Sequence, residues 1–291
     1  MSSNDRLSNF LTSHFEEFST IRRDIHQHPE LAFKEYRTSE LVADLMNSYG
    51  FHVEQGIAKT GIVATLKLGT GDKSLGIRAD MDALPMQEET GLPYASQHHG
   101  IMHACGHDVH TTIALAAAKA LAEEGNFNGT VRFIFQPAEE IGRGAKAMID
   151  DGLFSRFPVD SIYGLHNWPG LPSGHFAFID GVAMASVDSY IVTIRGKGSH
   201  GAEPHNGIDP VTVAAYLVTS LQSIVSRNVN PREMAVITVG SIHGGNASNV
   251  IPDEAEIKLT VRAYQADVRQ IMKERLEALI HSVTSGFGAT G

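Results

Sequence analysis

Cys105 and His107 stand two residues apart in HACGHD, Glu139 and Glu140 are adjacent in PAEE, and His166 lies in LHNWP. A thiolate, two imidazoles and a carboxylate suit a borderline-soft divalent ion such as zinc, and a carboxylate left over beside them is what a metal hydrolase uses as general base. The chemistry expected of this set is metal-assisted hydrolysis of an amide. Cysteine and histidine two apart would diverge on a helix but meet around a tight turn, so Gly106 between them predicts a loop. Glu139 and Glu140 follow a proline at a strand end and are expected to point different ways, one to the ion and one to its open position. His166 is expected to end a buried strand that Asn167-Trp168-Pro169 stops at a sheet edge. Taken singly, Cys105 would read as a small buried hydrophobe and the Glu pair as the acidic first turn of a helix; the three motifs together favour ligation.

The elements that must position these residues follow from periodicity. Leu7, Phe10, Leu11, Phe15, Phe18, Ile21 and Ile25 recur at helical spacing up to His28-Pro29, predicting one helix that proline stops. A second helix carries Leu41, Leu45 and Met46, with Thr38 as its cap and Gly50 just past its end. Strand-like runs at 61–69, 74–81, 130–136 and 161–166 alternate with helical patterns at about 109–124 and 143–151. That order predicts an α/β unit with a largely parallel sheet flanked by helices, whose ligands gather at the carboxyl ends of the strands. From about residue 185 the order becomes strand, helix (209–226), strand, strand, helix (267–283). Period-two alternation in DSYIVTI and AEIKLTV makes it a ferredoxin-like α+β unit. The expected domains are 1–184 and 185–291.

Bulk properties exclude several classes. The 291 residues, 42% apolar, suffice for packed cores, and a net charge of −10 without any basic run argues against nucleic acid. The N-terminus lacks the basic and apolar regions of a signal peptide, and no window approaches the ~20 apolar residues of a spanning helix, so a cytoplasmic protein with no membrane partner is expected. Cys105 is the single cysteine, which rules out an intrachain disulfide. HGGN at 243–246 and GRG at 142–144 lack the lysine and spacing of a phosphate loop and read as turns. His26, His28, His98, His99, His175, His205 and His243 read as surface or packing residues.

Longer motifs carry a resemblance. RRDIHQHPELAFKEYRT (22–38), IRADMDALPMQE (77–88), MHACGHDVH (102–110), FQPAEE (135–140), GLHNWP (164–169), GKGSHGAEPHNGIDP (196–210) and GGNASNVIPDEA (244–255) together resemble the M20 metallopeptidase and aminoacylase family, in its amidohydrolase branch of hippurate hydrolases, indole-acetyl-amino-acid hydrolases and N-acyl-amino-acid deacylases. The resemblance implies a zinc-peptidase-like catalytic domain with an inserted lid or dimerisation domain. It also implies two divalent metals per subunit (Zn, Mn, Ni or Co), with Cys105 bridging, His107, Glu140 and His166 as terminal ligands, and Glu139 as general base. Glu139 would accept a proton from the attacking water and return it to the departing amine. By the same resemblance His200 stabilises the oxyanion, from the opposite subunit in dimeric members, and Asn249 and Arg262 bind the free carboxylate of an N-acyl amino acid. A homodimer through the second domain is expected.

Asp80 sits where related branches keep a carboxylate that orients a histidine ligand, with Arg78 in that histidine's place. Asp108 is open to two roles, orienting His107 or capping the helix that begins there, and His103 and His110 are assigned structural or supporting service. The family's catalytic domain resumes after the inserted one. This sequence ends at HSVTSGFGATG, and is therefore expected to lack that return segment, the last ferredoxin-like strand and the final histidine of the second metal. The rival readings are a dipeptidase or carboxypeptidase on the same metal site and a catalytically inactive binding protein.

Overall fold

In a computed structural model, which describes residues 3–291, the N-terminal apolar stripe forms two helices rather than one, α1 (Ser3–Ser13) and α2 (Phe15–Gln27). They meet at His14, whose backbone leaves the helical region (φ −104°, ψ 7°), while its Nδ1 donates to the Phe10 carbonyl at 2.9 Å. α2 stops just ahead of Pro29, as the ring demands. In α3 (Tyr36–Ser48) the expected cap is corrected: Thr38 lies inside the helix, and Glu30 accepts the leading N–H groups of Arg37 and Thr38 at 3.0 and 2.8 Å. Gly50 follows with φ +84°, the left-handed conformation of a helix-ending glycine.

The chain continues through β1 (His52–Ile57), β2 (Gly61–Leu68), β3 (Ser74–Asp80), α4 (His107–Glu124), β4 (Gly129–Gln136), α5 (Gly144–Asp150), α6 (Leu153–Arg156) and β5 (Ser161–Gly164). The strands form one sheet in the order β1-β2-β4-β3-β5. The unit is α/β, as expected, but its sheet is mixed rather than largely parallel. β2 is antiparallel to β1 and β4, whereas β3 is parallel to β4 and β5. The short connection between Ile57 and Gly61 dictates the first pairing, because a parallel partner would need a long crossover. β5 is a short edge strand, exposed along its whole length, so the buried strand expected before His166 is not found.

Both faces of this sheet are covered. Val131, Phe133 and Phe135 of β4 pack with Val42, Ala43 and Met46 of α3 and Leu115 and Ala118 of α4. Ile134, facing the other way, packs with Val63, Met148 of α5 and Leu153 of α6. Strand alternation thus feeds two cores from one strand.

Packing divides the chain after Leu171, ahead of the boundary expected at 184; no helix or strand falls between Gly164 and Ser186. The second unit comprises β6 (Ser186–Arg195), β7 (Ser199–His200), α7 (Pro210–Asn228), β8 (Ala235–Gly244), β9 (Val250–Ile251), β10 (Glu254–Ala263) and α8 (Ala266–Gly286). β10 pairs antiparallel with β6 and β8 on either side, giving the βαββα order read from the sequence. Ala255, Ile257, Leu259, Val261 and Ala263 turn one face of β10 toward Leu217 and Leu221 of α7 and Met272 and Leu276 of α8. Arg262, between two of these buried positions, stands on the opposite face.

Candidate metal centre

The parallel strands β3, β4 and β5 end at Asp80, Gln136 and Gly164. The segments leaving those ends carry Asp82, Glu139 with Glu140, and His166, and α4 begins with His107 just beyond the Cys105-Gly106 turn. Gly106 has φ +85°, and a Cβ there would collide with the Asn167 side chain. Glycine is required twice over, by conformation and by close approach.

Three side chains converge. Ligand atoms of Cys105, His107 and His166 lie within 4.8 Å of one another, as do those of His107, Glu139 and Glu140. Cys105 Sγ is 3.3 Å from His166 Nε2. His107 Nε2 is 3.8 Å from Glu139 Oε2 and 3.9 Å from Glu140 Oε1, so both carboxylates approach one imidazole rather than pointing apart. They differ in exposure: the Glu139 side chain is 39% accessible, that of Glu140 15%.

The two histidines share a tautomer. His107 Nδ1 donates to the Asp82 carbonyl at 2.8 Å and His166 Nδ1 to the Asn167 carbonyl at 2.6 Å. A carbonyl only accepts, so in the neutral rings both protons sit on Nδ1 and both Nε2 lone pairs face Cys105 and the Glu pair.

The charge balance fits a cation. Burial opposes protonation of His107, yet Asp82, Asp80 and Glu140 outweigh it and hold its pKa above the ordinary value. Burial and the neighbouring Glu140 and Glu139 charges push the Cys105 thiol up to about 12. Burial, then the Glu139 charge, also raises Glu140, against the opposing pull of His107. His107 Nε2 and Glu140 Oε1 are buried without a hydrogen-bond partner, which proteins seldom leave so. An anionic pocket with unpartnered nitrogen and oxygen atoms beside a thiol offers a donor set suited to a divalent metal.

Support for these residues comes from side chains that the sequence reading passed over or left open. Asp82, fully buried, accepts the backbone N–H groups of Glu139 and Glu140 at 2.9 and 3.0 Å. Asp80 does orient a histidine, His110: its Oδ1 is 2.7 Å from His110 Nδ1, and Arg78 Nη1 is 2.7 Å from its Oδ2. Although burial works the other way, the His110 bond with the His107 and Arg78 charges holds Asp80 down at about 2. The far nitrogen of His110 accepts the Asn167 N–H at 3.0 Å, so Arg78, Asp80 and His110 form a relay that fixes the segment bearing His166. Asp108 does neither thing expected of it. Its Oδ2 takes His26 Nδ1 at 2.9 Å and Arg22 Nη1 at 3.3 Å, tying α2 to α4, and His26 also meets Glu88 at 3.3 Å. His103 is buried with neither ring nitrogen bonded, and burial holds its pKa down at about 4.

His200, Asn249 and Arg262 lie in the second unit. His200 pairs with Val250 across β7 and β9, and Gly201 N–H donates to the Asn249 carbonyl at 2.8 Å, so these two are neighbours. Arg262 pairs with Val187 and Val236 in the larger sheet.

The sequence profile of Peptidase family M20/M25/M40 matches residues 76–283. A hippurate hydrolase of Campylobacter jejuni is 50% identical over 260 residues, 89% of this chain and 68% of the relative. An N-acetyl-L-cysteine deacetylase of Bacillus subtilis is 45% identical over 268 residues, 92% of this chain and 64% of the relative. The chain thus spans about two thirds of these relatives' length. The crystal structure of the Bacillus subtilis YXEP protein, described as a dinuclear metal binding peptidase from the M20 family, superposes with a TM-score of 0.78 at 37% identity, over 96% of this chain and 72% of that one.

Proposed function

This chain belongs to Peptidase family M20/M25/M40, and from that premise we propose that it hydrolyses the amide bond of N-acyl amino acids, releasing a carboxylic acid and a free amino acid. The observation that carries the reading is the convergence of Cys105, His107 and His166, with ligand atoms within 4.8 Å of one another. Cys105, His107, Glu140 and His166 would hold divalent metal, two ions in the full family arrangement. When bound, the metal polarises the amide carbonyl and acidifies water.

The residues of the chain supply the remaining steps. Glu139, the more exposed carboxylate, takes the proton of the attacking water and delivers it to the departing nitrogen as the C–N bond breaks. Asp82 keeps Glu139 and Glu140 in place through their backbone N–H groups. From the second unit, His200 is assigned to stabilise the oxyanion, and Asn249 and Arg262 to recognise the free carboxylate. The names of the two enzymes above support an acyl amino acid as substrate. Assembly as a homodimer through the second unit and a cytoplasmic location complete the reading; among the described residues no helix is long and apolar enough to cross a membrane.

The test is metal analysis of the purified chain with turnover on N-benzoyl and N-acetyl amino acids, their carboxyl-amidated analogues, and unblocked dipeptides. Bound metal with cleavage confined to free-carboxylate N-acyl substrates supports the proposal. Cleavage of unblocked dipeptides in preference would favour a peptidase on the same centre, and neither metal nor turnover would overturn both.

A further inference from the structure

Glu35 occupies the cap position of α3, yet its side chain makes no capping bond; Glu30 performs that task. The Glu35 carboxylate is fully buried and turns elsewhere. Its Oε1 accepts the N–H groups of Phe33 at 3.0 Å and Ala138 at 2.9 Å, and its Oε2 accepts the Thr60 hydroxyl at 2.6 Å. Each of these donors is neutral. Burial raises the carboxyl above its ordinary value, against the pull of these bonds. A buried carboxylate held by neutral donors is costly to keep and calls for a reason.

The reason lies in the backbone around it. Among the described residues the non-glycine positions with positive φ are Phe33 (59°), Ala58 (51°), Lys59 (78°) and Ala138 (52°). All of them belong to the segments that Glu35 joins: Phe33 and Ala138 are bonded to it directly, and Ala58 and Lys59 immediately precede Thr60. Side chains resist the left-handed region, and such residues persist only where the surroundings over-determine them. Ala138 is pinned on both sides. Its N–H meets Glu35, and its carbonyl accepts Gly144 N–H at 3.0 Å, an approach so close that a Cβ on Gly144 would strike the Pro137 carbonyl. The next residues are Glu139 and Glu140.

We infer that Glu35 is a positioning residue for the catalytic carboxylates, holding Ala138 in the left-handed conformation that turns Glu139 and Glu140 toward His107. This rests on the roles proposed above for those two residues. Glu35 touches no reacting atom; it acts through Ala138 alone.

Glu35→Gln, Glu35→Leu and the double variant Glu35→Leu/Ala138→Gly test it in the full 291-residue chain. The readouts are amide hydrogen exchange of peptides covering 137–143 in metal-free protein, zinc affinity by competition with a chromophoric chelator, and thermal unfolding as a control for folding. Glutamine can accept both N–H groups on its oxygen and donate to Thr60, so Glu35→Gln should match the parent in all three. Glu35→Leu should exchange at least about 10-fold faster over 137–143 and bind zinc roughly 10- to 100-fold more weakly. Glycine enters the left-handed region without steric cost, so the double variant should regain most of the zinc affinity, which a general loss of packing would not allow. If Glu35→Leu does not fold, Glu35→Asp, one methylene short of Ala138, is read by the same measurements. Parent-like exchange and zinc affinity in the Leu or Asp variant overturns the inference, as does equal damage in Glu35→Gln. A parent chain that binds no zinc overturns the metal reading instead, and the exchange comparison still decides the role of Glu35.

Discussion

His107 donates its Nδ1 proton to the main-chain carbonyl of Asp82 across 2.8 Å, and the side chain of the same Asp82 accepts the N–H groups of Glu139 and Glu140. One residue thereby sets the tautomer of an imidazole and the path of the loop that faces it. Geometry of this kind is what lets a ligand set stand ready before the ion arrives.

Asp82→Ala leaves two backbone N–H groups without their acceptor. It should lower zinc affinity by roughly 10- to 100-fold and destabilise the metal-free chain by about 1–3 kcal/mol. Chelator competition and denaturant unfolding measure the two effects; parent-like zinc affinity would show that the loop holds itself.

Glu139→Gln should keep metal and lose two to four orders of magnitude, roughly, in turnover, the usual contribution of a general base. Glu140→Gln should lose metal. Metal content and single-turnover rates of both variants separate the roles, and the opposite pattern would mean that the two glutamates are interchanged.

Cys105 should react slowly with a thiol reagent when zinc is bound and faster after chelation, because a coordinating sulfur is shielded. Equal labelling rates in the two states would remove Cys105 from the ligand set.

Arg262→Ala should weaken activity on an N-acyl amino acid far more than on its amidated analogue, since the neutral analogue never made the charge-assisted pair. Equal losses on both would assign Arg262 to support of its sheet.

In the second unit, Asp188 receives Arg269 through two bonds of 2.6 and 2.7 Å, and chiefly this bond holds its carboxyl below the ordinary 3.8. A depressed carboxylate contributes stability above its unfolded value and loses it as the pH falls through the folded one. The melting-temperature gap between parent and Asp188→Asn should therefore be constant above the ordinary aspartate range and close on acidification. It should also shrink with salt, because Arg269 is half exposed. A gap that stays open in acid would refute the assignment.

The candidate ligand residues were legible because their chemistry is local: type, spacing and a glycine between Cys105 and His107 suffice. Their supports were not, because they join positions far apart in sequence, Asp82 to Glu139 and His110 to Asn167. Nothing in HVEQGI announced β1, a half-exposed strand without clean alternation. Its turn was hidden too, since Ala58 and Lys59 adopt the conformation that glycine or asparagine usually signals. Missing β1 left the antiparallel half of the sheet unread. The second unit, with clean alternation in β6 and β10, was the easier half.

Each large core belongs to one unit: Leu217, Ile257 and Met272 pack within the second, Phe133, Leu115 and Met46 within the first. Substitutions far apart and without shared partners add rather than compound. A lineage can therefore exchange residues on the exposed face around Arg262 while the unit bearing Cys105 and His107 keeps its stability reserve intact. The division of the core is in this sense a division of evolutionary risk between the two units.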